Sequence, residues 1–397
     1  NDKCGEATCR AAGCNVPKIP VAQGEGGAAA MSATSTSTVV YEEAVSGLSL
    51  SGRVCAITGC TTGTGFWAAI AATRAKASCV MLLNRPSARA SSALEEIKKT
   101  AGSSTEVLHI DCDLSSFENT RAAAGIVAIE SAKRGGLDAL VCNAGIMGVP
   151  DKRTADGFDV QMQTNLLSHF LLSKLLMPSL ELAAASRGEA RVVQHSSGAR
   201  RSNKKRPGPD DLAASYFESG PAGSLGGDGL GACFGRYHQT KLANTAFAMA
   251  LHVKLAAVGS KVKSVAADPG VAGTDLQKNV ARQHSRLKQV LFAVVSRVMK
   301  LTGAHIQSAA DGAASLILAA FDPRTNSGDL WMPSKHIPNK KVSVHGPPTR
   351  SIEGGVAATS PQWIVDKFES EALTLSSANQ TMVWEASERA IGEKWAL

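Results

Sequence analysis

The sequence has few aromatic residues and no long apolar segment. Phenylalanine, tryptophan and tyrosine make up 5% of its 397 residues, and tyrosine occurs only 3 times. No uninterrupted apolar run reaches the roughly 18 residues that a membrane-spanning helix requires. The net charge is +8, but the basic residues accompany neither a recognition motif nor an aromatic stacking surface. We therefore expect a soluble or peripheral protein that does not bind nucleic acid.

Basic residues are concentrated in two stretches of the chain. Arginine and lysine occupy 200–201 and 204–206, and several more lie within 278–300. Clusters of this kind favour solvated basic loops. An anionic membrane, a phosphorylated cofactor or an acidic partner is the alternative.

The cysteine pattern does not indicate a metal site. Cys4, Cys9 and Cys14 are evenly spaced near the start of the chain but lack a matching His/Cys cluster, which favours surface thiols or one local disulfide over zinc. Nine cysteines leave one unpaired even in a fully oxidised chain. Six of them fall in the predicted core and indicate reduced thiols: Cys55, Cys60, Cys79, Cys112, Cys142 and Cys233.

Composition divides the chain into three parts. Residues 1–47 are rich in alanine, glycine, serine and threonine, which predicts an extended low-complexity tail. The pattern from 48 to 336 predicts one domain, with a glycine-rich basic insert at 200–235 and an amphipathic basic segment at 277–303. Residues 337–397 are expected to form an extension that packs on this domain.

Short apolar runs alternate with helical patterns from Gly52 onwards. Alternation of strands and helices predicts an α/β fold, a Rossmann-type doubly wound parallel sheet with helices on both faces. The predicted strands are Arg53–Thr58, Cys79–Asn84, Val107–Ile110, Leu137–Cys142, Arg191–His195 and Lys261–Ala266.

A glycine-rich turn follows the first predicted strand and opens the first helix. Its glycines permit a tight turn and close approach of the backbone to a pyrophosphate, and the helix N-terminus favours an anion. The sequence therefore predicts a dinucleotide site at this turn. The residues expected to bind the cofactor are Thr58, Gly59, Thr62, Gly63, Thr64 and Gly65.

The Thr-Gly-x-x-x-Gly-x-Gly spacing of this turn resembles the short-chain dehydrogenase/reductase family, and the other motifs of that family follow in order. Asn143-Ala144-Gly145 is similar to the end of its Asn-Asn-Ala-Gly motif, although Cys142 replaces the first asparagine. The resemblance implies that this run lies beside the cofactor. It also implies a catalytic tetrad of Asn165, Ser197, Tyr237 and Lys241, in which Asn165 helps to organise a proton-relay water.

The Tyr-x-x-x-Lys spacing places Tyr237 and Lys241 on one face of a helix. A neighbouring ammonium favours phenolate, so we expect Lys241 to lower the pKa of Tyr237 from its usual value of about 10. Ser197 would hold the substrate oxygen while Tyr237 exchanges its proton. Ser196 is the competitor for this serine role. His169, His195 and His238 are expected to be structural.

The residue after the second strand indicates the cofactor. An acid there would bind the ribose of NAD, whereas a basic residue would pair with the 2′-phosphate of NADP. Arg85 stands at this position, so we expect NADP(H). The resemblance adds Asp113 and Leu114 at the adenine, with Asp111 as a competing register. Its further cofactor-binding residues are Tyr237, Lys241, Pro269, Gly270 and Thr274.

The later motifs are most similar to the branch of retinol dehydrogenases and protochlorophyllide-reductase-like enzymes. This similarity implies hydride transfer to or from a carbonyl or alcohol of an apolar small molecule. A protochlorophyllide reductase usually has cysteine where this chain has Ala243, but it shares an insert before the tyrosine and stays an alternative. Another alternative is a structural or redox-sensing subunit of an organellar complex with little turnover.

Location and assembly are inferred from the same features. Because the chain begins at Asn1 and not at a methionine, we expect that a targeting peptide has been removed. The branch resemblance indicates a plastid. The resemblance implies a substrate-covering lid at the amphipathic segment 277–303, which suits an apolar substrate or a peripheral membrane contact. Relatives form homo-oligomers through paired helices, and the sequence leaves this open.

Overall fold

The computed structural model describes residues 38–205, 212–273, 307–333, 348–352 and 371–397. Within them, eight strands form one sheet in the order β3-β2-β1-β4-β5-β6-β7-β8. Seven strands are parallel and β8 is antiparallel to β7. The strands are β1 Val54–Thr58, β2 Cys79–Asn84, β3 Glu106–Asp111, β4 Ala139–Cys142, β5 Ala190–His195, β6 Val262–Ala267, β7 Leu330–Pro333 and β8 Pro348–Ile352.

Helices cover both faces of the sheet, so the predicted fold class is confirmed. The six strands expected from the sequence lie within two residues of their predicted bounds, whereas β7 and β8 were not expected. The helices are α1 Val39–Val45, α2 Gly63–Arg74, α3 Ala88–Thr100, α4 Phe117–Ala132, α5 Val160–Met162, α6 Ser168–Arg187, α7 Leu230–Ala257, α8 Ala309–Phe321, α9 Ala372–Leu375 and α10 Ser377–Ile391.

The sheet has apolar side chains on both faces because a parallel sheet is buried between helices. Successive strand residues point to opposite sides. Cys55 and Ile57 pack with α1, α2 and α8, while Val54 and Ala56 pack with α4, α6, α7 and α10. The order of the strands reverses between β1 and β4, which opens a crevice at their carboxyl ends.

Helix α1 corrects the predicted extended tail. The sequence predicts no regular structure over residues 1–47, but residues 39–45 are helical. The Tyr41 side chain is fully buried, its ring centroid lies 5.1 Å from that of Trp67, and its backbone N–H donates to Asp311 at 2.9 Å. Tertiary packing against α2 and α8 stabilises this short helix, because local propensity alone does not.

The helical segment Val160–Arg187 is long and apolar enough to cross a membrane, by length and composition alone, with a mean hydropathy of 1.2. The sequence does not predict such a segment, because polar residues interrupt its apolar runs. Within the tested window, 72% of the residues are buried inside the protein. It therefore packs as a core helix of this domain.

Several predicted features lie outside the described residues. These are residues 1–37 of the tail with Cys4, Cys9 and Cys14, the lid at 277–303, and Thr274.

Candidate active site

The glycine turn is packed tightly against the segment that follows β4. A Cβ atom at Gly59 would lie 2.8 Å from the Cα of Ala144, and one at Gly65 would lie 2.2 Å from the Nδ2 of Asn143. Gly59 and Gly63 also have positive φ angles of 72° and 68°, which glycine adopts without strain. Packing within the protein thus requires glycine at the first and third positions, Gly59 and Gly65. The sequence alone did not predict this requirement.

The side chain of Asn143 joins the turn to β5. Its Nδ2 donates to the carbonyl oxygens of Thr58 at 2.9 Å and Gly59 at 3.1 Å. Its Oδ1 accepts from the hydroxyl of Thr64 and lies 2.9 Å from Nδ1 of His195. Because Oδ1 only accepts, Nδ1 of His195 carries the proton. The amide of Asn143 is saturated, and it holds the glycine turn in place.

A second chain of hydrogen bonds connects β1 to Asn165. The Nδ1 atom of His169 lies 3.0 Å from the main-chain oxygen of Asn165, and its Nε2 lies 2.9 Å from the hydroxyl of Thr58. A carbonyl cannot donate, so Nδ1 is protonated and the Thr58 hydroxyl donates to Nε2. That hydroxyl also accepts from the N–H groups of Asn143 and Ala144. His169 is structural, as predicted, but it connects two predicted site residues.

Asn165 lies in the π-helical turn Gln163–Leu167, which joins α5 to α6. Such turns are frequent at functional sites. The side-chain amide of Asn165 is bonded to Ile146 in both directions and to Thr240 on α7. Its main-chain oxygen accepts from Nδ2 of Asn244 at 2.8 Å as well as from His169. Both lone pairs of this oxygen are occupied by these two partners, which fixes the π-helical turn to α6 and α7.

Tyr237 and Lys241 lie four residues apart on α7, and both are buried. The side chain of Ser197 lies beside the phenol of Tyr237 and opposes the rise of its pKa. The ammonium of Lys241 lies 5.7 Å from the centre of the tyrosine ring and donates to the main-chain oxygen of His195 at 2.8 Å. A Cβ atom at Gly145 would lie 3.6 Å from this ammonium. Predicted catalytic and cofactor residues therefore meet at one place.

Burial determines the ionisation of this pair. It raises the pKa of Tyr237 well above its usual value, although the side chain of Ser197 acts in the opposite direction. Burial lowers the pKa of Lys241 to about 8, opposed by the negative charge of Asp268. The expectation of a lowered tyrosine pKa is wrong for this structure, because the lysine is directed at a carbonyl oxygen and desolvation dominates.

The two neighbouring serines have different contacts. Ser196 donates from Oγ to the main-chain oxygen of Lys241 at 2.8 Å, which connects β5 to α7. The Oγ of Ser197 accepts from the N–H of Ala199 at 3.3 Å and lies next to Tyr237. Of the two, Ser197 is the one beside the phenol, as the sequence predicts.

The end of β2 presents one unpartnered polar atom towards the glycine turn. The Oδ1 of Asn84 accepts from the N–H of Cys60 at 2.7 Å. Its Nδ2 is buried and has no hydrogen-bond partner among the described residues. Arg85 follows directly and is exposed. At the start of α2, Thr62 provides no side-chain cap, so the first N–H groups of the helix are available to an anion.

The loop after β3 distinguishes the two aspartates of the competing registers. Asp111 is the last residue of β3; its side chain is exposed and lies 3.5 Å from that of His109. Asp113 lies beyond the strand end, where Oδ1 accepts from both the N–H and the hydroxyl of Ser115. Leu114 is buried, and its oxygen accepts from Ser168 at 2.8 Å. Asp113 thus lies in the loop at the carboxyl end of β3, whereas Asp111 belongs to the strand itself.

The loop after β6 is held from two sides. Gly270 has a φ of 67° and donates its N–H to Asp268 Oδ1 at 2.9 Å. The side chain of Gln307 donates to the oxygen of Pro269. Pro269 and Gly270 thus border the crevice at the carboxyl end of β6.

Comparison with known proteins agrees with this geometry. The family model for short chain dehydrogenases matches residues 53–207. Retinol dehydrogenase 12 of Homo sapiens is 34% identical over 254 residues, which cover 63% of this chain and 70% of that protein. The chain belongs to the short-chain dehydrogenase family. The resemblance predicted from the motifs is confirmed.

Two further relatives are both named polyprenol dehydrogenase. Polyprenol dehydrogenase of Homo sapiens is 34% identical over 229 residues, 57% of this chain and 63% of that protein. The Mus musculus protein of that name is 30% identical over 272 residues, which cover 68% of this chain and 72% of the relative. The chain thus spans less than two thirds of the length of human polyprenol dehydrogenase.

Solved structures show the same fold. L-sorbose reductase from Gluconobacter frateurii, solved with NADPH and L-sorbose, has a TM-score of 0.52 at 18% identity and covers 71% of this chain and 95% of its own. An uncharacterized protein from Mycobacterium paratuberculosis has a TM-score of 0.59 at 24% identity and covers 89% of this chain and 98% of its own.

The cysteines within the described residues are free and buried, in agreement with the expected reduced thiols of the core. All six in the described part of the chain are free thiols. Cys142, which replaces the first asparagine of the family motif, contacts Ser173 and Gln194, and burial raises its pKa to about 12. Since the thiolate is the reactive form, Cys142 is a packing residue.

Two buried arginines beside the site, Arg200 and Arg236, were not predicted from the sequence. Arg200 and Arg201 were expected in a solvated basic loop, but Arg200 is 1% exposed and lies between Asp268 and Glu371. Arg236 precedes Tyr237 and is fully buried; it donates to the oxygens of Leu225 and Gly227 in the insert. The acidic partners of both arginines lie far away in the sequence. No local pattern therefore indicates that Arg200 or Arg236 is buried.

Proposed function

We propose that this dehydrogenase transfers hydride between NADP(H) and a carbonyl or alcohol group of an apolar small molecule, with Tyr237 as the acid/base. The observation that carries the proposal is the meeting of three groups: the ammonium of Lys241 lies 5.7 Å from the centre of the Tyr237 ring, and Ser197 acts on the phenol of Tyr237. Three groups from β5 and α7 thereby converge at the carboxyl ends of the strands, where open α/β sheets bind their ligands.

The residues of this chain divide the proton chemistry between them. Ser197 donates a hydrogen bond to the substrate oxygen and holds it next to the phenol of Tyr237. For reduction, Tyr237 gives its proton to that oxygen; for oxidation, it takes the proton away. Lys241 is held beside this pair by the hydrogen bond from its ammonium to the main-chain oxygen of His195. A bound nicotinamide cofactor supplies or accepts the hydride.

The residues at the glycine turn fit a dinucleotide. The uncapped start of α2 suits a pyrophosphate, and the unpartnered Nδ2 of Asn84 is a buried donor at the end of β2. A buried amide without a partner is costly, and a ligand oxygen would satisfy it. Arg85 follows β2 at the position where a 2′-phosphate is bound in NADP-preferring relatives. These features support NADP(H).

The relatives support a long apolar substrate. Two proteins similar to this chain are named for polyprenol and another for retinol. All three names denote apolar alcohols. We propose that an isoprenoid-like alcohol, or the aldehyde derived from it, is the substrate.

The alternatives have less support. A redox-sensing role for Cys142 requires a reactive thiolate, whereas this thiol is buried and its pKa is raised. A protochlorophyllide reductase is disfavoured by Ala243, which is buried on α7 two residues after Lys241. The plastid location and membrane association stay proposals from the branch resemblance. Imaging of the tagged full-length protein in its native cells tests the location.

Calorimetric titration with NADPH and NADH is the first test of the proposed function. Binding of NADPH, followed by its oxidation in the presence of an isoprenoid aldehyde, is the expected result. Loss of turnover in Tyr237→Phe with unchanged NADPH binding would assign the chemistry to this site. Binding of neither nucleotide would overturn the oxidoreductase function and favour a structural subunit.

A further inference from the structure

A buried ionic cluster lies directly behind the catalytic serine. The guanidinium of Arg200 donates to both carboxylate oxygens of Glu371, at 2.8 Å and 2.7 Å, and to Asp268. The neighbouring Arg201 donates to Glu371 at 3.0 Å and 2.6 Å. Side chains of Arg200, Asp268 and Glu371 are 1%, 2% and 0% exposed. We call these three residues the Arg200 cluster.

The cluster joins the two loops that border the crevice. Arg200 also donates to the main-chain oxygen of Ser197 at 2.8 Å. Asp268 accepts from the N–H of Gly270 at 2.9 Å. One guanidinium therefore connects the loop with the catalytic serine to the loop with Pro269 and Gly270.

The third member of the cluster comes from the end of the chain. Glu371 directly precedes α9, which is fastened to the catalytic helix by a hydrogen bond between Thr374 and Thr245 at 3.0 Å. Helix α10 follows, and its Trp384 packs against Phe170 of α6 and Phe247 of α7. The C-terminal segment is thus firmly placed, and Glu371 presents its carboxylate from a fixed support.

The charges of the cluster balance when Arg201 is included, because two arginines face two carboxylates. A buried ion pair is a poor source of stability, since desolvation offsets most of the attraction. Such a pair does fix the relative positions of its members, because the planar guanidinium can donate to its partners in only a few arrangements. Here the partners are a catalytic loop, a cofactor loop and the C-terminal segment.

We propose that Arg200, Asp268 and Glu371 are positioning residues that set the place of Ser197 and of the Pro269–Gly270 loop, and that the C-terminal segment is thereby part of the active site. This inference rests on the proposed function, since it concerns the nicotinamide end of the same site. The adenine end, at Asn84 and Arg85, is separate from the cluster. A defect in the cluster should therefore affect one half of the cofactor.

The test compares two ligands in wild-type protein and in Glu371→Gln, Arg200→Lys and Asp268→Asn. NADPH reports on the whole cofactor site, and 2′,5′-ADP reports on its adenine half alone. We expect the Kd of 2′,5′-ADP to stay within about two-fold and that of NADPH to rise about ten-fold. We expect kcat to fall about 100-fold, because a misplaced serine disturbs the reacting geometry.

The matched control is Glu42→Gln. Glu42 forms a two-fold hydrogen bond with Arg74, like that of Glu371 with Arg200, but the side chains of Arg74 and Glu42 are 40% and 51% exposed. This variant loses the same carboxylate chemistry on the surface. Unchanged binding and turnover are expected.

The outcomes separate this inference from the proposed function. If wild-type protein binds neither ligand, the proposed function is wrong. If wild-type protein binds both, and the cluster variants bind and turn over like the wild type, the inference alone is overturned. Equal weakening of both ligands together with a lowered Tm also overturns it, since that is a purely structural effect. Glu371→Gln retains hydrogen-bonding atoms and decides the matter if Arg200→Lys does not fold.

Discussion

The ammonium of Lys241 donates to the main-chain oxygen of His195 at 2.8 Å, while the ring of the same histidine lies 2.9 Å from the side-chain oxygen of Asn143. His195 thus connects the catalytic helix to the segment that supports the glycine turn. Burial lowers the pKa of His195 to about 3, so the ring is neutral at ordinary pH. The ammonium of Lys241 is therefore held by a carbonyl oxygen of a neutral residue.

Replacement of Lys241 by methionine should stabilise the protein near neutral pH and abolish turnover. The pKa of this buried lysine is lowered from 10.5 to about 8, which corresponds to about 3 kcal/mol of destabilisation at pH 7. The lost hydrogen bond to His195 offsets about 1–3 kcal/mol of that. We expect a small rise in Tm at pH 7.

The pH dependence of this difference has a definite sign. Between about pH 8 and 10.5 the unfolded lysine binds a proton that the folded one does not, so wild-type stability rises with pH in this window. The advantage of Lys241→Met should shrink over the same window. Denaturant unfolding at several pH values measures it, and a constant difference would contradict the assignment.

Tyr237→Phe should lower kcat by about 10²–10⁴-fold, because general acid/base catalysis is lost. The aromatic ring still fills its buried site, so the Kd of NADPH should not change. Tyr216→Phe is the control, since it also removes one phenol. Steady-state kinetics and calorimetry measure both quantities, and an active Tyr237→Phe variant would exclude this residue as the acid/base.

Arg85→Ala should weaken NADPH binding and leave NADH binding unchanged. An exposed arginine beside a phosphate contributes about 1–2 kcal/mol through charge-assisted hydrogen bonds, which is about a ten-fold change in Kd. Titrations with both nucleotides measure the ratio. Equal effects on NADH and NADPH would show that Arg85 does not select the 2′-phosphate.

Gly65→Ala should prevent the glycine turn from packing. The added Cβ would lie 2.2 Å from Asn143 Nδ2 and 2.5 Å from the oxygen of Gly59, and overpacking of this kind costs about 1–3 kcal/mol. Cofactor binding should be lost with it. Gly125→Ala on α4 is the control, because its Cβ would meet nothing within 4 Å and helix propensity favours alanine.

His169→Gln should flatten the loss of stability in acid. The pKa of His169 is lowered from 6.5 to about 4 by burial, so the unfolded state binds its proton first as the pH falls. Stability is present in full above about pH 6.5 and declines towards pH 4, by about 1.4 kcal/mol per pH unit for this group. Unfolding free energies at pH 7, 6 and 5 measure the slope; identical slopes would contradict the neutral buried ring.

The amino-acid sequence by itself determined the features that depend on neighbours along the chain. Strand and helix periodicity predicted six of the described strands, and the spacing of Thr58–Gly65 identified the turn between β1 and α2. The Tyr-x-x-x-Lys spacing placed two site residues on one helix face because four residues make about one turn. Motif order then indicated the family.

Only the tertiary structure decided the features that depend on burial and on distant partners. Ser197 and not Ser196 lies beside Tyr237, and the ammonium of Lys241 is directed at His195. In the sequence, Arg200 belongs to a basic run that predicts a solvated loop. In the folded chain, Arg200 is buried and paired with Glu371, which comes from the far end of the chain. Desolvation and long-range ion pairing are properties of the folded chain as a whole, and no local pattern encodes them.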